Sequence, residues 1–144
     1  MSKAVLISIR PEWCDLIKSG MKTIEVRKSR PNLDTPFKVY IYCTIHGCSF
    51  LVGEKFPLSG NGKIIGEFIC DTFVTDRTFG HDPLFNGAAC MSEIDAVIYS
   101  CQSLIYGWHI SDLVVYDKPK ELSDFNLKRP PQSWCYVDYP EKEM

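Results

Sequence analysis

GMKTIEVRK, at residues 20–28, joins the end of a short predicted helix to a strand in which apolar and polar residues alternate. Because successive side chains of a strand point to opposite faces, the polar side chains of this segment share one face. That face carries Thr23, Glu25 and Arg27, and Lys22 joins them from the turn before the strand. Two interpretations stay open: a solvated surface on which neighbouring charges pair, or a cluster that holds a polar, nucleotide-like ligand.

The length and composition of the chain indicate a small globular protein. At 144 residues we expect one domain over residues 1–144, and the 45% hydrophobic and 24% charged content is ordinary for such a domain. No apolar run approaches the roughly 20 residues of a membrane span, and the apolar start of the chain is too short for a signal peptide. We therefore expect a cytoplasmic protein, with an acidic, frayed tail at residues 139–144.

The cysteines do not form a pattern typical of disulfides or metal. Their number, seven, is odd, and most lie in apolar segments, so we expect buried free thiols. Cys43, His46 and Cys48 have the spacing of half a zinc site, but no second pair with ligand spacing follows. We expect no metal and no cofactor.

The charge is unevenly distributed along the chain. The net charge of −2 argues against tight, sequence-independent binding of duplex nucleic acid, which depends on phosphate neutralisation. Residues 1–38 nevertheless hold eight basic and four acidic residues, whereas the remainder holds eight basic and fourteen acidic ones. A basic surface around residues 20–28 therefore fits a small anionic or single-stranded ligand better than a long duplex.

Hydrophobic periodicity predicts five or six strands and two helices. The predicted strands cover residues 4–9, 23–28, 37–44, 63–75, 106–116 and 133–137. Two short, widely separated helices do not alternate with strands as regular β-α-β units would. We therefore predict an α+β fold in which a mixed or antiparallel sheet closes into a small β-barrel.

The two helices have clear start signals. The first begins at Pro11, runs for nine residues and ends before Gly20. The second begins after Ser92, a good N-cap. Its buried stripe is predicted to consist of Ile94, Val97, Ile98 and Cys101. Residues 45–62 and 76–91 are predicted to be loops.

Two further charged residues are candidates for the ligand site. Glu67 is a carboxylate inside an apolar strand, so it needs a partner or a place in water. Either it pairs with Lys22 or Arg27, or it lies harmlessly at an edge or bulge. Arg10 follows the first strand and is a plausible phosphate contact.

One segment near the end of the chain offers aromatic and polar candidates. Trp108 begins a strand beside a glycine, and its ring either stacks on a base or belongs to the core, as that of Trp13 is expected to do. His109 and Ser111 lie on the opposite face by parity and reach the cleft if Trp108 does not.

The order of these motifs resembles that of the ASCH domain, a member of the PUA-like superfamily together with the EVE and YTH domains. The resemblance rests on Gly-x-Lys-Thr-x-Glu-x-Arg, Gly-Glu-Phe at residues 66–68 and Trp-His-Ile-Ser-Asp-Leu at residues 108–113. The first motif consists of Gly20, Lys22, Thr23, Glu25 and Arg27. The resemblance implies a PUA-like β-barrel with helices packed at its ends, a cleft for RNA or a modified base beside the first helix, and a prokaryotic or phage origin.

One branch of small ASCH proteins is similar to amidohydrolases that remove the acetyl group of N4-acetylcytidine. The lysine of that branch matches Lys22, but a threonine stands where this sequence has Glu25. If the chain is an enzyme, its predicted acid–base pair is Lys22 with Glu25, or Lys22 with Glu67. We expect Glu25 to keep Lys22 protonated, which favours binding over nucleophilic attack. The first hypothesis is thus an RNA-binding or modified-nucleotide-binding module without membrane partners, and the alternative is the amidohydrolase.

Overall fold

A computed structural model describes residues 2–45 and 62–139, and in it six strands form one sheet. The strands are β1 (Ser2–Ile9), β2 (Ile24–Arg27), β3 (Phe37–Cys43), β4 (Lys63–Asp76), β5 (Ile105–Lys120) and β6 (Trp134–Tyr139). Their order in the sheet is β2-β5-β4-β3-β1-β6. β1 and β3 run parallel, and the other neighbouring pairs are antiparallel. The predicted mixed α+β class is therefore confirmed.

The predicted closure of the sheet into a barrel is not confirmed. Within residues 2–45 and 62–139, β2 and β6 are the two edges of the sheet and share no backbone pairing. A side chain connects these edges instead, since Arg27 of β2 donates to Ser133, just before β6. The ring of Trp108 in β5, the neighbour of β2, also lies 5.9 Å from that of Trp134 in β6. β2 has only four residues, and its neighbour in the sheet is β5.

Within the described ranges three α-helices accompany the sheet, one more than predicted. They are α1 (Pro11–Lys18), α2 (Pro83–Ala89) and α3 (Glu93–Ser100), and a short 3-10 helix covers Leu122–Phe125. α1 begins at a proline, as predicted, and Cys14 and Ile17 pack into the core. No helix in the described part of the chain is long and apolar enough to cross a membrane.

α2 lies inside the predicted loop at residues 76–91, so that part of the prediction is wrong. The Asp82 side chain caps the helix by accepting from the backbone N–H groups of Leu84 and Phe85, and Pro83 occupies the first turn. Cys90 ends the helix in a left-handed conformation. The other predicted loop, at residues 45–62, lies almost entirely outside the described residues.

α3 begins after Ser92 as predicted, but the predicted buried stripe is wrong. Ile94 and Ile98 are 72% and 71% exposed, and Cys101 is exposed as well. The buried face of the helix consists of Ala96 and Ser100. Their small side chains allow the backbone of α3 at residues 96 and 97 to lie directly against Gly80.

Both faces of the sheet are covered by apolar side chains. In β3, Phe37, Val39, Ile41 and Cys43 belong to the core beneath α1. Tyr40 and Tyr42 point the other way and pack with the 3-10 helix in a second core. The side chains of this strand therefore alternate between the two cores.

A bulge in β5 reverses the predicted alternation of its side chains. Trp108, Ile110 and Leu113 contact the core beneath α1, whereas Tyr116 packs on the other face. Asp112 has a φ of 49°, and the pairing of β5 with β4 shifts its register at this point. The side chains before and after Asp112 therefore do not follow one continuous alternation.

Candidate ligand-binding cleft

Lys22, Glu25 and Arg27 meet beside the end of α1, and we call these three residues the inner cluster. The Nζ atom of Lys22 lies 3.4 Å from Glu25 Oε1, and Arg27 Nη2 lies 2.6 Å from Glu25 Oε2. The side chains are only 3%, 7% and 13% exposed, in that order. The predicted convergence occurs, but in a buried position and not on a solvated surface.

Lys22 is held by α2, which the sequence did not predict. Its Nζ donates to the carbonyl oxygen of Ala89 at 2.7 Å, at the end of α2 where unpaired carbonyls favour a cation. The same Nζ lies 4.9 Å from the centre of the Trp13 ring. Burial lowers the pKa of Lys22, and the opposing effect of Glu25 does not cancel it. Glu25 therefore favours the ammonium form of Lys22, as expected, but its effect is smaller than that of burial.

Arg27 positions the cluster and has no donor left for a ligand. Its Nε and Nη2 both donate to Glu25 Oε2, and Nη2 also donates to the carbonyl oxygen of Ser8 at 2.8 Å. Its Nη1 donates to the carbonyl and the hydroxyl of Ser133. These contacts occupy all five N–H groups of a guanidinium. Arg27 thus fixes Glu25 and connects β2 to the end of β1, so its donors serve the protein and not a ligand.

A cleft opens above the inner cluster. Its main lobe has a volume of about 480 Å³, and its lining includes Arg10, Glu25 and Gln132. A smaller inner lobe of about 120 Å³ reaches Lys22 and Met91. The two lobes share four lining residues, so they are neighbouring parts of one cleft: Trp13, Glu25, Val26 and Tyr99.

Two aromatic residues of this cleft were not predicted as ligand contacts. Trp13 packs against the core, as expected, but it is only half-buried and also lines both lobes. Tyr99 of α3 lines both lobes as well, and its hydroxyl donates to the carbonyl oxygen of Val26 at 3.4 Å. Burial raises the pKa of Tyr99. No local signal in the sequence relates these residues, because α1 and α3 meet only in the folded chain.

Three exposed polar residues between positions 10 and 28 lie at different places relative to the cleft. Arg10 is exposed and lines the main lobe, and within the described residues it has no acidic partner within salt-bridge distance. Thr23 is exposed too, but it lines neither lobe, and its backbone bonds to Ala88 and Ile110. Lys28 is exposed, with its Nζ 5.2 Å from the centre of the Tyr99 ring.

The candidates of β5 do not reach the cleft. Trp108 is fully buried, and its Nε1 donates to the carbonyl oxygen of Ser29, so the prediction that it stacks on a ligand is wrong. His109 pairs with Asp71 at 2.7 Å, and the Ser111 hydroxyl donates to the carbonyl oxygen of Ile69. Glu25 pairs with Trp108 across the two strands, so their side chains share one face of the sheet. The next residue, His109, therefore lies on the other face.

Glu67 belongs to the opposite face of the sheet, and neither predicted partner is the right one. It pairs with Lys38 at 2.8 Å and accepts a hydrogen bond of 2.6 Å from the hydroxyl of Tyr116. Burial raises the pKa of Glu67, but these contacts outweigh it and lower the pKa. Glu67 is opposite Tyr40 in β3, whose side chain packs in the second core.

No metal-binding constellation is found in the residues that the structure describes. There, no group of three or more histidine, cysteine, aspartate and glutamate side chains is arranged to hold an ion. Cys43 is a free, buried thiol, whereas His46 and Cys48 lie outside the described ranges. Of the other described cysteines, Cys14 and Cys70 are buried and Cys101 is exposed, so the expectation of buried free thiols is only partly confirmed.

Part of the chain is similar to a known protein family. Residues 7–69 match the family model of the ASCH domain. The match contains the Gly-x-Lys-Thr-x-Glu-x-Arg motif and confirms the resemblance that this motif indicated. No curated protein sequence matches the chain.

The fold is similar to that of ASCH from Zymomonas mobilis. The crystal structure of that protein has a TM-score of 0.71 at 21% identity, covering 94% of this chain and 87% of that one. Two single-substitution variants of the same protein give TM-scores of 0.71 and 0.70 at 20% and 21% identity. They cover 94% and 95% of this chain and 88% and 91% of theirs. At this identity the likeness concerns the fold.

Proposed function

We propose that the chain is an RNA-binding module whose cleft takes an unpaired nucleotide of single-stranded RNA. One observation carries this proposal: a cleft with two aromatic residues in its lining lies directly above a buried, rigidly held carboxylate. The ASCH match supports it, because PUA-like modules generally bind RNA. The main lobe, at about 480 Å³, lies within the range of about 300–1,000 Å³ typical of ligand pockets.

The base is held by the aromatic lining of the cleft. Trp13 and Tyr99 come from different helices, line both lobes and are only half-buried, so each keeps ring surface for contact. Stacking of a base on an aromatic ring is worth about 1–3 kcal/mol in single-stranded complexes and tolerates every base. In this proposal Trp13 and Tyr99 stack on the base, which was one of the two alternatives for Trp108.

Glu25 is the polar group that contacts the base edge. It accepts from Lys22 and twice from Arg27, and a carboxylate offers about four acceptor sites. One site is left for an amino or imino N–H of a base. Because Lys22 and Arg27 fix both oxygens, Glu25 loses little freedom when a ligand binds.

The phosphates are held at the rim by exposed cations. Arg10 lines the main lobe, and Lys28 lies against the ring of Tyr99. Such contacts supply affinity without reading the sequence, and they make the affinity depend on salt. Arg27 is not among them, since its donors are already used within the protein.

Fluorescence anisotropy with labelled five-nucleotide RNAs of uniform sequence tests the proposal. We expect Tyr99→Leu to weaken binding roughly 5- to 100-fold, because a stacked ring is lost, and Tyr99→Phe to keep most of the affinity. Arg10→Ala should reduce the slope of log affinity against log salt by about one contact. Lys38→Ala, which removes the same charge from the opposite face, should change neither. An absence of RNA binding by the wild type, or an equal effect of Lys38→Ala and Arg10→Ala, contradicts the proposal.

A second candidate function is supported by the lowered pKa of Lys22. Burial favours the neutral amine, which is the form that takes a proton from an attacking water, and Glu25 lies 3.4 Å away to stabilise the resulting ammonium. The corresponding reaction is hydrolysis of an acylated nucleoside such as N4-acetylcytidine. Mass spectrometry of N4-acetylcytidine incubated with the wild type and with Lys22→Met tests it: loss of the acetyl group that depends on Lys22 would replace the binding module by an amidohydrolase.

A further inference from the structure

The cleft continues beyond the inner lobe. Met91 lines the inner lobe on one side and a further pocket of about 460 Å³ on the other, which we call the outer lobe. The outer lobe lies against α2 and the start of α3, and its lining consists of His81, Pro83, Asn86, Gly87, Met91 and Glu93. Three lobes in a row thus share lining residues from one to the next, as an extended ligand requires.

The chemistry of the outer lobe differs from that of the main lobe. Its described lining contains no lysine or arginine, and the Nδ1 atom of His81 is paired with Glu93 at 2.9 Å. Asn86 is 5% exposed, and its Nδ2 donates to the carbonyl oxygen of Gly80 at 2.8 Å. Its Oδ1 is buried and accepts no hydrogen bond within the described residues. A carboxylate and a spare acceptor beside apolar surface disfavour a phosphate and suit a flat group with N–H donors.

We infer that the outer lobe is a second base-binding subsite, so that the ligand of the cleft is a single-stranded RNA of at least two nucleotides. This inference rests on the proposed function, because it assigns the first base to the main and inner lobes. The negatively charged backbone then stays on the side of Arg10 and Lys28, away from Glu93. Met91 lies between the two bases, and its flexible thioether adapts to either.

Gly87 offers a way to fill the outer lobe alone. It lines this lobe, and a Cβ atom built on it meets no other atom within 4 Å. Gly87→Leu therefore places a side chain in the lobe without a clash at its root. Gly87→Ala is the matched control, because it makes the same change of backbone freedom but adds only a methyl group. Neither variant alters a residue of the main or the inner lobe.

The experiment compares cytidine and uridine monophosphates with di- and pentanucleotide RNAs, by calorimetric titration of the wild type, Gly87→Ala and Gly87→Leu. We expect the wild type to bind the dinucleotide at least about 5-fold more tightly than the mononucleotide, because the second base gains contacts in the outer lobe. Gly87→Leu should remove this gain and leave the mononucleotide affinity unchanged. Thermal unfolding of the three proteins checks that each is folded.

The outcomes separate this inference from the proposed function. If the wild type binds mononucleotides and oligonucleotides equally well, or if Gly87→Leu binds dinucleotides like Gly87→Ala, the second subsite is wrong while the RNA-binding module stands. If the wild type binds none of the ligands, both proposals are wrong. A loss confined to di- and pentanucleotides in Gly87→Leu supports the second subsite.

Discussion

Two clusters of this protein are built from the same ingredients and differ in their surroundings. The inner cluster joins Lys22 and Arg27 to Glu25, and what we call the sheet cluster joins Lys38 and Tyr116 to Glu67. The lysine and glutamate side chains are 3% and 7% exposed in the inner cluster but 28% and 19% exposed in the sheet cluster. All three residues of the inner cluster line the cleft, whereas no residue of the sheet cluster lines any of the three lobes.

This difference shows that a lysine beside a carboxylate does not define a site. Both glutamates satisfy the requirement that a buried carboxylate be paired, and both were candidates from the sequence. The sheet cluster covers the second core and is complete in itself, since Glu67 has two close partners there. The inner cluster has an acceptor to spare and open space above it. The cavity above the inner cluster, and not the ion pair itself, therefore identifies this cluster as the candidate functional site.

The largest expected difference concerns the loss of each carboxylate. Glu25→Ala leaves Lys22 and Arg27 buried without a counter-charge, so we expect the free energy of unfolding to fall by about 3–5 kcal/mol. Glu67→Ala leaves a lysine that can reach water, and we expect a loss of about 1 kcal/mol. Urea unfolding followed by circular dichroism measures both. Equal losses would show that the two clusters are energetically alike and would remove the distinction drawn here.

A smaller effect is expected when the charge is kept and the geometry is changed. Arg27→Lys retains a cation but gives up the planar fork that contacts Glu25, Ser8 and Ser133. We expect a loss of about 1.5–3 kcal/mol in the free energy of unfolding, as for hydrogen bonds to charged groups.

Lys38→Arg is the converse control for this prediction. It also keeps the charge, and its partly exposed side chain has room to adapt, so we expect a change within about 0.5 kcal/mol, as is usual for surface substitutions. If Arg27→Lys is tolerated as well as Lys38→Arg, the role of Arg27 as a positioning residue is wrong.

The parts of the molecule that follow from local sequence were predictable. The inner cluster is one: a turn and a strand of period two bring Lys22, Glu25 and Arg27 close together within six residues of sequence. The start of α1 at Pro11 is another, since a proline costs nothing in the first turn. The family resemblance rests on the same local motifs.

The parts that depend on distant pairing were not predictable. Glu67 lies beside Lys38 because of the register of β3 and β4, and a single bulge at Asp112 moves Tyr116 to the face where it reaches Glu67. The alternation of apolar and polar residues in the sequence gives no indication of this bulge. In the same way, Trp13 and Tyr99 become cleft residues only through the packing of their helices.

The loop predicted in place of α2 has a different cause. Gly87 lowers helix propensity and indicates a loop, but the Asp82 cap and Pro83 outweigh it, and Phe85 and Ala89 bury one face of the helix. Asp82 followed by Pro83 was a usable start signal for this helix. Without α2 the environment of the inner cluster could not be predicted either, because Lys22 is anchored on the last residue of this helix.

The smallest expected effect is the pH dependence that separates the two clusters. The pKa of Lys22 is lowered from 10.5 in the folded state, so its full contribution to stability is present above pH 10.5 and is lost as the pH falls towards the folded-state pKa. The pKa of Glu67 is lowered from 4.5, so its contribution is present above pH 4.5 and is lost as the pH falls through the folded-state pKa. The inner cluster should therefore be sensitive on the alkaline side and the sheet cluster on the acidic side.

Urea unfolding of the wild type, Lys22→Met and Glu67→Gln between pH 3 and pH 10.5 measures this separation. The difference in the free energy of unfolding between wild type and Lys22→Met should rise with pH on approaching 10.5. Between the folded-state pKa and 10.5 the unfolded chain binds more protons at Lys22 than the folded chain does, so stability increases with pH. The difference between wild type and Glu67→Gln should instead fall as the pH drops below 4.5. If the Lys22 difference falls with rising pH, the pKa of Lys22 is raised, the amine is held as an ammonium, and the hydrolase alternative loses the observation that supports it.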